Sequence, residues 1–232
     1  MSYNYLQPET PRVIIACRVL ESELEALKGS DSNIETIYID QNYHRSPHLL
    51  PDLLQEKIEE VKDYAKQIVL GYGLCSNAIV GIVPPSQGLI VTKAHDCITL
   101  FLGSREKYNK LFKQSPGTYY ITPGWIKEEK DPLGMLENEY VPKLGREIAE
   151  WGAMEEIKHY KDITLIDTRA VDIAPYRDRA RENASFFDKE YAEIKGDSRL
   201  LQKLLFGPYD KEDFFLLEPG EEIKQSWFID KF

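Results

Sequence analysis

The sequence predicts an α/β fold, doubly wound around a mostly parallel sheet, with a helical C-terminal portion. Three observations lead there. Short continuous apolar runs recur at Val13-Ile14-Ile15-Ala16, Ile68-Val69-Leu70 and Leu89-Ile90-Val91, the pattern of strands buried on both faces. Helical stretches lie between such strands with short connections, and that alternation builds parallel sheets. The 232 residues are enough for one large domain or two small ones with a proper core.

Residues 1–11 are polar and turn-rich and read as a flexible N-terminal arm. The first strand ends at Cys17. Residues 21–28 have helical character and stop at Gly29, with Glu21 and Glu23 as first-turn acids complementing the helix N-terminus. Residues 33–39 alternate as a second strand. The turn at Ser46-Pro47 leads into a helix over 51–65 with Leu53, Leu54, Ile58 and Val61 on one face. The third and fourth strands follow at 68–70 and 89–91, then a helix through Arg105 to Phe112 and a fifth strand over 117–122. A flavodoxin-like order of 2-1-3-4-5 is expected for these five.

From Pro132 the pattern turns helical. Residues 137–160 form a long helical stretch with an interruption at Pro142. Residues 162–167 read as one more strand. Residues 175–205 read as charged helix, with Phe186, Phe187, Tyr191, Leu200, Leu204 and Leu205 as its buried face, ahead of a short apolar run at 214–217. The expected division is the arm over 1–11, an α/β domain over 12–131 and a helix-rich portion over 132–232, a second α/β lobe being the alternative.

With 29 basic and 39 acidic side chains the formal charge is −10. That balance excludes a phosphate-backbone partner, which needs a basic face, and adhesion to an anionic membrane. No apolar run approaches the roughly 20 residues of a spanning helix. The first residues carry no basic flank and no apolar stretch, so no signal peptide is visible. A cytoplasmic protein is expected, with neither nucleic acid nor membrane as partner.

Cys17, Cys75 and Cys97 are too few, and odd in number, for a disulfide framework. In a reducing compartment they are buried thiols, metal ligands or nucleophiles. Free cysteine is often simply buried, but these three share an address. Cys17 ends the first strand, Cys75 follows the third and Cys97 the fourth. Ligands of open α/β sheets bind outside those carboxyl ends. His95 and Cys97 form a His-x-Cys pair that an extended backbone turns toward one side. Cys17, Cys75, Cys97 and His95 are therefore the candidate metal ligands. Zinc, which takes thiolate and imidazole tetrahedrally, is the first expectation. A three-cysteine [4Fe-4S] cluster is the alternative. A cysteine nucleophile with His95 as base is a third option, leaving two thiols without a role.

Around them, Gly71 and Gly73 permit close backbone approach to a cofactor, and Ser76 and Asn77 can cap or bond a ligand. His44, in the turn after the second strand, is a candidate base or fourth ligand. Trp125 offers an aromatic wall after the fifth strand. The run at 71–77 is not a dinucleotide fingerprint, and the chain holds neither a P-loop nor a Gly-x-Ser-x-Gly elbow.

The Ile-Ala-Cys ending at Cys17, the turn His44-Arg45-Ser46-Pro47, Gly-Tyr-Gly-Leu-Cys at 71–75, His-Asp-Cys at 95–97 and Pro-Gly-Trp at 123–125 resemble the domain of unknown function 1638 family. The resemblance spans roughly 12–167. It implies a setting in anaerobic one-carbon metabolism, beside corrinoid-dependent methyltransferase systems. A corrinoid-linked or other small-molecule substrate and a methyltransferase partner protein are then expected. A weaker similarity, to zinc methyltransferases that pass a methyl group from a corrinoid to a thiol, rests on His95, Cys97 and Cys75. Those enzymes are TIM barrels, in which the cysteine pair follows the histidine, whereas Cys75 precedes it. Either way the implied chemistry is thiol or one-carbon transfer, by an enzyme or by a non-catalytic accessory protein.

Overall fold

The computed structural model describes residues 11–30 and 33–228; of the expected N-terminal arm, residues 1–10 lie outside the described residues. Four parallel strands lead the fold: β1 (Arg12–Cys17), β2 (Ile34–Ile39), β3 (Gln67–Gly71) and β4 (Leu89–Thr92). They stand in the spatial order β2-β1-β3-β4. β1, β3 and β4 are buried almost throughout, which is why they are continuous apolar runs. The connections carry α1 (Glu21–Lys28), between β1 and β2, and α2 (Leu50–Val61), between β2 and β3. After β4 come α3 (Cys97–Leu102) and α4 (Arg105–Gln114).

The chain then builds a second parallel sheet. β5 (Thr118–Ile121) is followed by α5 (Pro123–Lys127), α6 (Pro132–Met135), a π-helical turn at Leu136–Tyr140, α7 (Val141–Leu144) and α8 (Arg146–Ile157). β6 (Asp162–Asp167), α9 (Arg177–Phe186) and β7 (Glu190–Lys195) complete it, in the order β5-β6-β7. Its core centres on Ile121, Ile163, Leu165, Ala153 and Phe187. Finally α10 (Arg199–Phe206) returns to the first sheet, and β8 (Phe214–Leu217) pairs antiparallel with β4. Leu200, Leu201, Leu204 and Leu205 give α10 its buried face. The Arg199 guanidinium grips both Asp213 carboxylate oxygens, at 2.7 and 3.1 Å, and so ties α10 to the start of β8.

The class is therefore α/β with a mostly parallel central sheet, while three expectations need correction. The fifth place in the first sheet belongs to β8, not β5, because β5 pairs with β6. The interruption expected at Pro142 falls instead at Gly145, whose φ of 77° ends α7; Pro142 follows directly on the π-helical turn at Leu136–Tyr140, inside a helical run that continues from Pro132. The charged stretch at 175–205 is not continuous helix, because β7 runs along the edge of the second sheet with its polar side chains in solvent. Glu23 stands in the first turn of α1 as expected, and it is fully buried with both carboxylate oxygens unpartnered. No helix among the described residues is long and apolar enough to cross a membrane.

Candidate metal centre

Parallel register brings the loops after β1, β3 and β4 to one edge of the first sheet: Ala16 pairs with Gly71, Leu70 with Val91, and Cys17 lies one step beyond. Past β3 the chain presses against the segment after β4. The Leu74 and Cys75 amides donate to the Ala94 and His95 carbonyls, each at 2.9 Å. Gly73 makes that contact possible, since a Cβ there would stand 2.7 Å from both the Ala94 oxygen and the Asp96 nitrogen. Cys75 itself has a φ of 42°, a left-handed conformation that costs a non-glycine residue about 1–3 kcal/mol and persists only where its surroundings enforce it. The Asp96 carboxylate accepts from the Thr99 amide and caps α3, which sets Cys97 in the first position of that helix.

These loops enclose a cavity of about 330 Å³ lined by Cys17, Cys75, Cys97, His44, His95 and Trp125, with Gln41 and Asp96 among the other walls. The structure thus brings together all three cysteines, both candidate histidines and the candidate tryptophan. His44 is held over Cys17, its Nε2 lying 3.6 Å from the sulfur, and stacks on the Tyr72 ring at 6.2 Å. Its turn is clamped from the second sheet: Arg45 pairs with Glu139 at 2.8 Å and stacks over Tyr140, while Lys130 bridges Asn42 and Glu139 at 2.6 Å each. Gly71, Gly73 and Asn77 do not line the cavity. The space at Gly71 is filled by Ala16 and Leu204, that at Gly73 by residues 94–96, and Asn77 is exposed at a φ of 72°. Of Ser76 the backbone alone is described, in the short 3-10 turn Cys75–Asn77.

Burial holds every thiol in its neutral form. Desolvation pushes Cys17 up to about 12. It raises Cys75 and Cys97 as well, and in both the charge of Asp96 and of the neighbouring thiols adds to the rise. Burial likewise lowers His44, so its imidazole is neutral. Three buried polar atoms around the thiols have no hydrogen-bond partner: Gln41 Oε1, the Tyr72 hydroxyl and Trp125 Nε1. The Tyr72 hydroxyl faces Cys17 and the Trp125 indole faces Cys97, both as donors that favour a thiolate. The two donors among these, the Tyr72 hydroxyl and the Trp125 indole, suit an occupant bearing negative charge on sulfur, whereas Gln41 Oε1 is an acceptor. Among the described residues, no three His, Cys, Asp or Glu side chains are drawn together tightly enough to hold a metal ion.

Sequence reasoning missed the Cys17–His44 pairing and the roles of Tyr72 and Gln41. The parallel pairing of β1 with β2 was the available signal, because it sets the turn after β2 beside Cys17.

A family model described as Protein of unknown function (DUF1638) matches residues 38–205. The match takes in His44, Cys75, His95, Cys97 and Trp125 and begins after Cys17. No curated protein and no solved structure matches the chain.

Proposed function

The chain belongs to the DUF1638 family, and we propose that it is a metal-binding protein whose centre is carried by the thiolates of Cys17, Cys75 and Cys97. The observation behind this reading is the shared cavity: three thiols from three separate loops line one space at the sheet's carboxyl edge. Neutral buried thiols gain from a cation, since metal binding replaces their protons and removes the cost of an uncompensated buried charge.

The volume favours a polynuclear occupant. A single zinc at about 2.3 Å from each sulfur needs the three sulfurs nearly in contact, and no set that tight stands among the described residues; the cavity the thiols share with seven other residues is about 330 Å³. We therefore favour an iron–sulfur cluster over zinc. When bound through three thiolates, a cluster supplies an iron with an open position for a small molecule. The chain's own residues complete the site. Trp125 and Tyr72 would donate to the Cys97 and Cys17 thiolates, His44 keeps solvent from Cys17, and His95 on the cavity wall is placed to exchange a proton with a ligand. A thiol nucleophile is the weaker reading, because a nucleophilic cysteine needs a lowered pKa and Cys17 is pushed up to about 12 beside a neutral imidazole.

Thiol or one-carbon transfer, with a corrinoid methyltransferase as partner protein, is the setting we attach to this centre on the strength of the family resemblance. The test is spectroscopic. Protein prepared without oxygen absorbs in the visible, and Cys75→Ser abolishes the absorption with the far-ultraviolet circular dichroism unchanged. A folded Cys75→Ser protein with full absorption overturns the shared centre.

A further inference from the structure

A second cavity, of about 380 Å³, adjoins the thiol site and shares Asp96, Ile98 and Trp125 with it as common wall. Its volume falls within the range of small-molecule sites, and its walls are aromatic to an unusual degree: Tyr108, Phe112, Tyr119, Tyr120, Trp125 and Tyr160. The rings stand at angles to one another. Tyr119 meets Trp125 edge-on at 6.3 Å and Tyr160 edge-on at 5.0 Å, while Tyr108 and Phe112 stack at 6.3 Å along a facing helix. Phe112 remains 56% exposed, which a rim position explains better than core packing.

Both charged groups on these walls are carboxylates. Asp96 lies on the wall shared with the thiol site, and Glu156, whose Oε2 accepts from the Tyr140 hydroxyl at 2.8 Å, is exposed at the mouth. No Lys, Arg or His lines the cavity. Ring faces carry partial negative charge, so several rings with two carboxylates and no cation form a field that attracts a positive ligand with an apolar surface. We propose that this cavity binds an organic ammonium cation, of the methylated-amine or quaternary class, and presents it across Trp125 and Asp96 to the thiol site.

As the substrate pocket of a metal centre, the cavity rests on the reading above; as a cation site it is testable without metal. Calorimetric titration with choline, and with its neutral isostere 3,3-dimethyl-1-butanol, separates charge from shape. Choline binds, and the isostere binds about tenfold or more weakly. Glu156→Gln, at an exposed position that leaves the fold intact, weakens choline severalfold, and Tyr160→Leu weakens it by about tenfold. Equal binding of the two probes, no choline binding, or an unchanged affinity in both variants overturns the proposal. The same titration on Cys75→Ser keeps the two readings apart. Choline binding there stands even if the protein holds no metal, and its loss in wild-type protein that does hold metal refutes the cation site alone.

Discussion

Glu23→Gln changes the pH dependence of stability in a way the structure fixes in advance. Glu23 lies on α1, which packs against α5, and its side chain is fully buried with no hydrogen-bond partner for either oxygen. Desolvation pushes its pKa from 4.5 up to about 8, with its own backbone N–H and then the nearby charge of Lys127 offsetting part of the rise. The folded protein therefore keeps a proton that the unfolded chain releases above pH 4.5. Stability from this group is fully present below that pH and is lost as the pH climbs toward 8. At about 1.4 kcal/mol per pH unit, the ceiling of the loss is about 5 kcal/mol, and local relaxation brings the expected value to about 2–4 kcal/mol. Glutamine keeps the shape and cannot ionise. Urea unfolding of both proteins from pH 5 to pH 9 should show Glu23→Gln gaining on the wild type as the pH rises, then levelling. All other titrations cancel in the difference. A difference that stays flat across that range would refute the argument that an unpaired, proton-bearing carboxyl sits there.

The other outcomes can be stated briefly. Gly124→Ala places a Cβ 1.9 Å from the Val19 carbonyl oxygen, a backbone clash expected to cost about 3 kcal/mol and to lower Tm by roughly 6–12 °C. Gly152→Ala, on α8 with nothing within 4 Å, is its control and should gain up to about 1 kcal/mol. Asp213→Ala removes one partner each from Arg199 and Lys203, which keep the Gly103 carbonyl and Asp210; with both cations part-exposed, chemical denaturation should show a loss of about 1–2 kcal/mol. In the metal-free native protein at pH 8, Cys17 and Cys75 should react with Ellman's reagent about a hundredfold or more slowly than in denaturant, because burial suppresses their thiolates.

What could be read from the sequence follows the physics of burial. β1, β3 and β4 are covered on both faces, so they announce themselves as apolar runs, and the glycine and proline punctuation between them marks the loops. β7 is the opposite case. Glu190, Tyr191, Ala192, Glu193, Ile194 and Lys195 form an exposed edge whose polar composition resembles a helix surface. Nothing local tells β5 which sheet to join, because pairing with β6 depends on a contact 40 or more residues away. The same holds at the site. The convergence of Cys17, Cys75 and Cys97 follows from strand order alone, since every parallel strand delivers its carboxyl end to one edge. The seat of His44 over Cys17 depends on Arg45 reaching Glu139 and on Lys130 reaching Asn42, pairs 94 and 88 residues apart in sequence, and no sequence period encodes that clamp. The glycines at 71 and 73 were legible as points of close approach, but what approaches is the protein itself.

The account stands on three thiols serving one centre, and the most direct measurement is iron, zinc and acid-labile sulfide per chain in protein purified without oxygen and without a metal-chelating tag. The account predicts about four irons with matching sulfide, lost together in Cys75→Ser. Protein carrying no metal, or metal retained in full by folded Cys75→Ser, would contradict it, and one zinc per chain without sulfide would overturn the cluster.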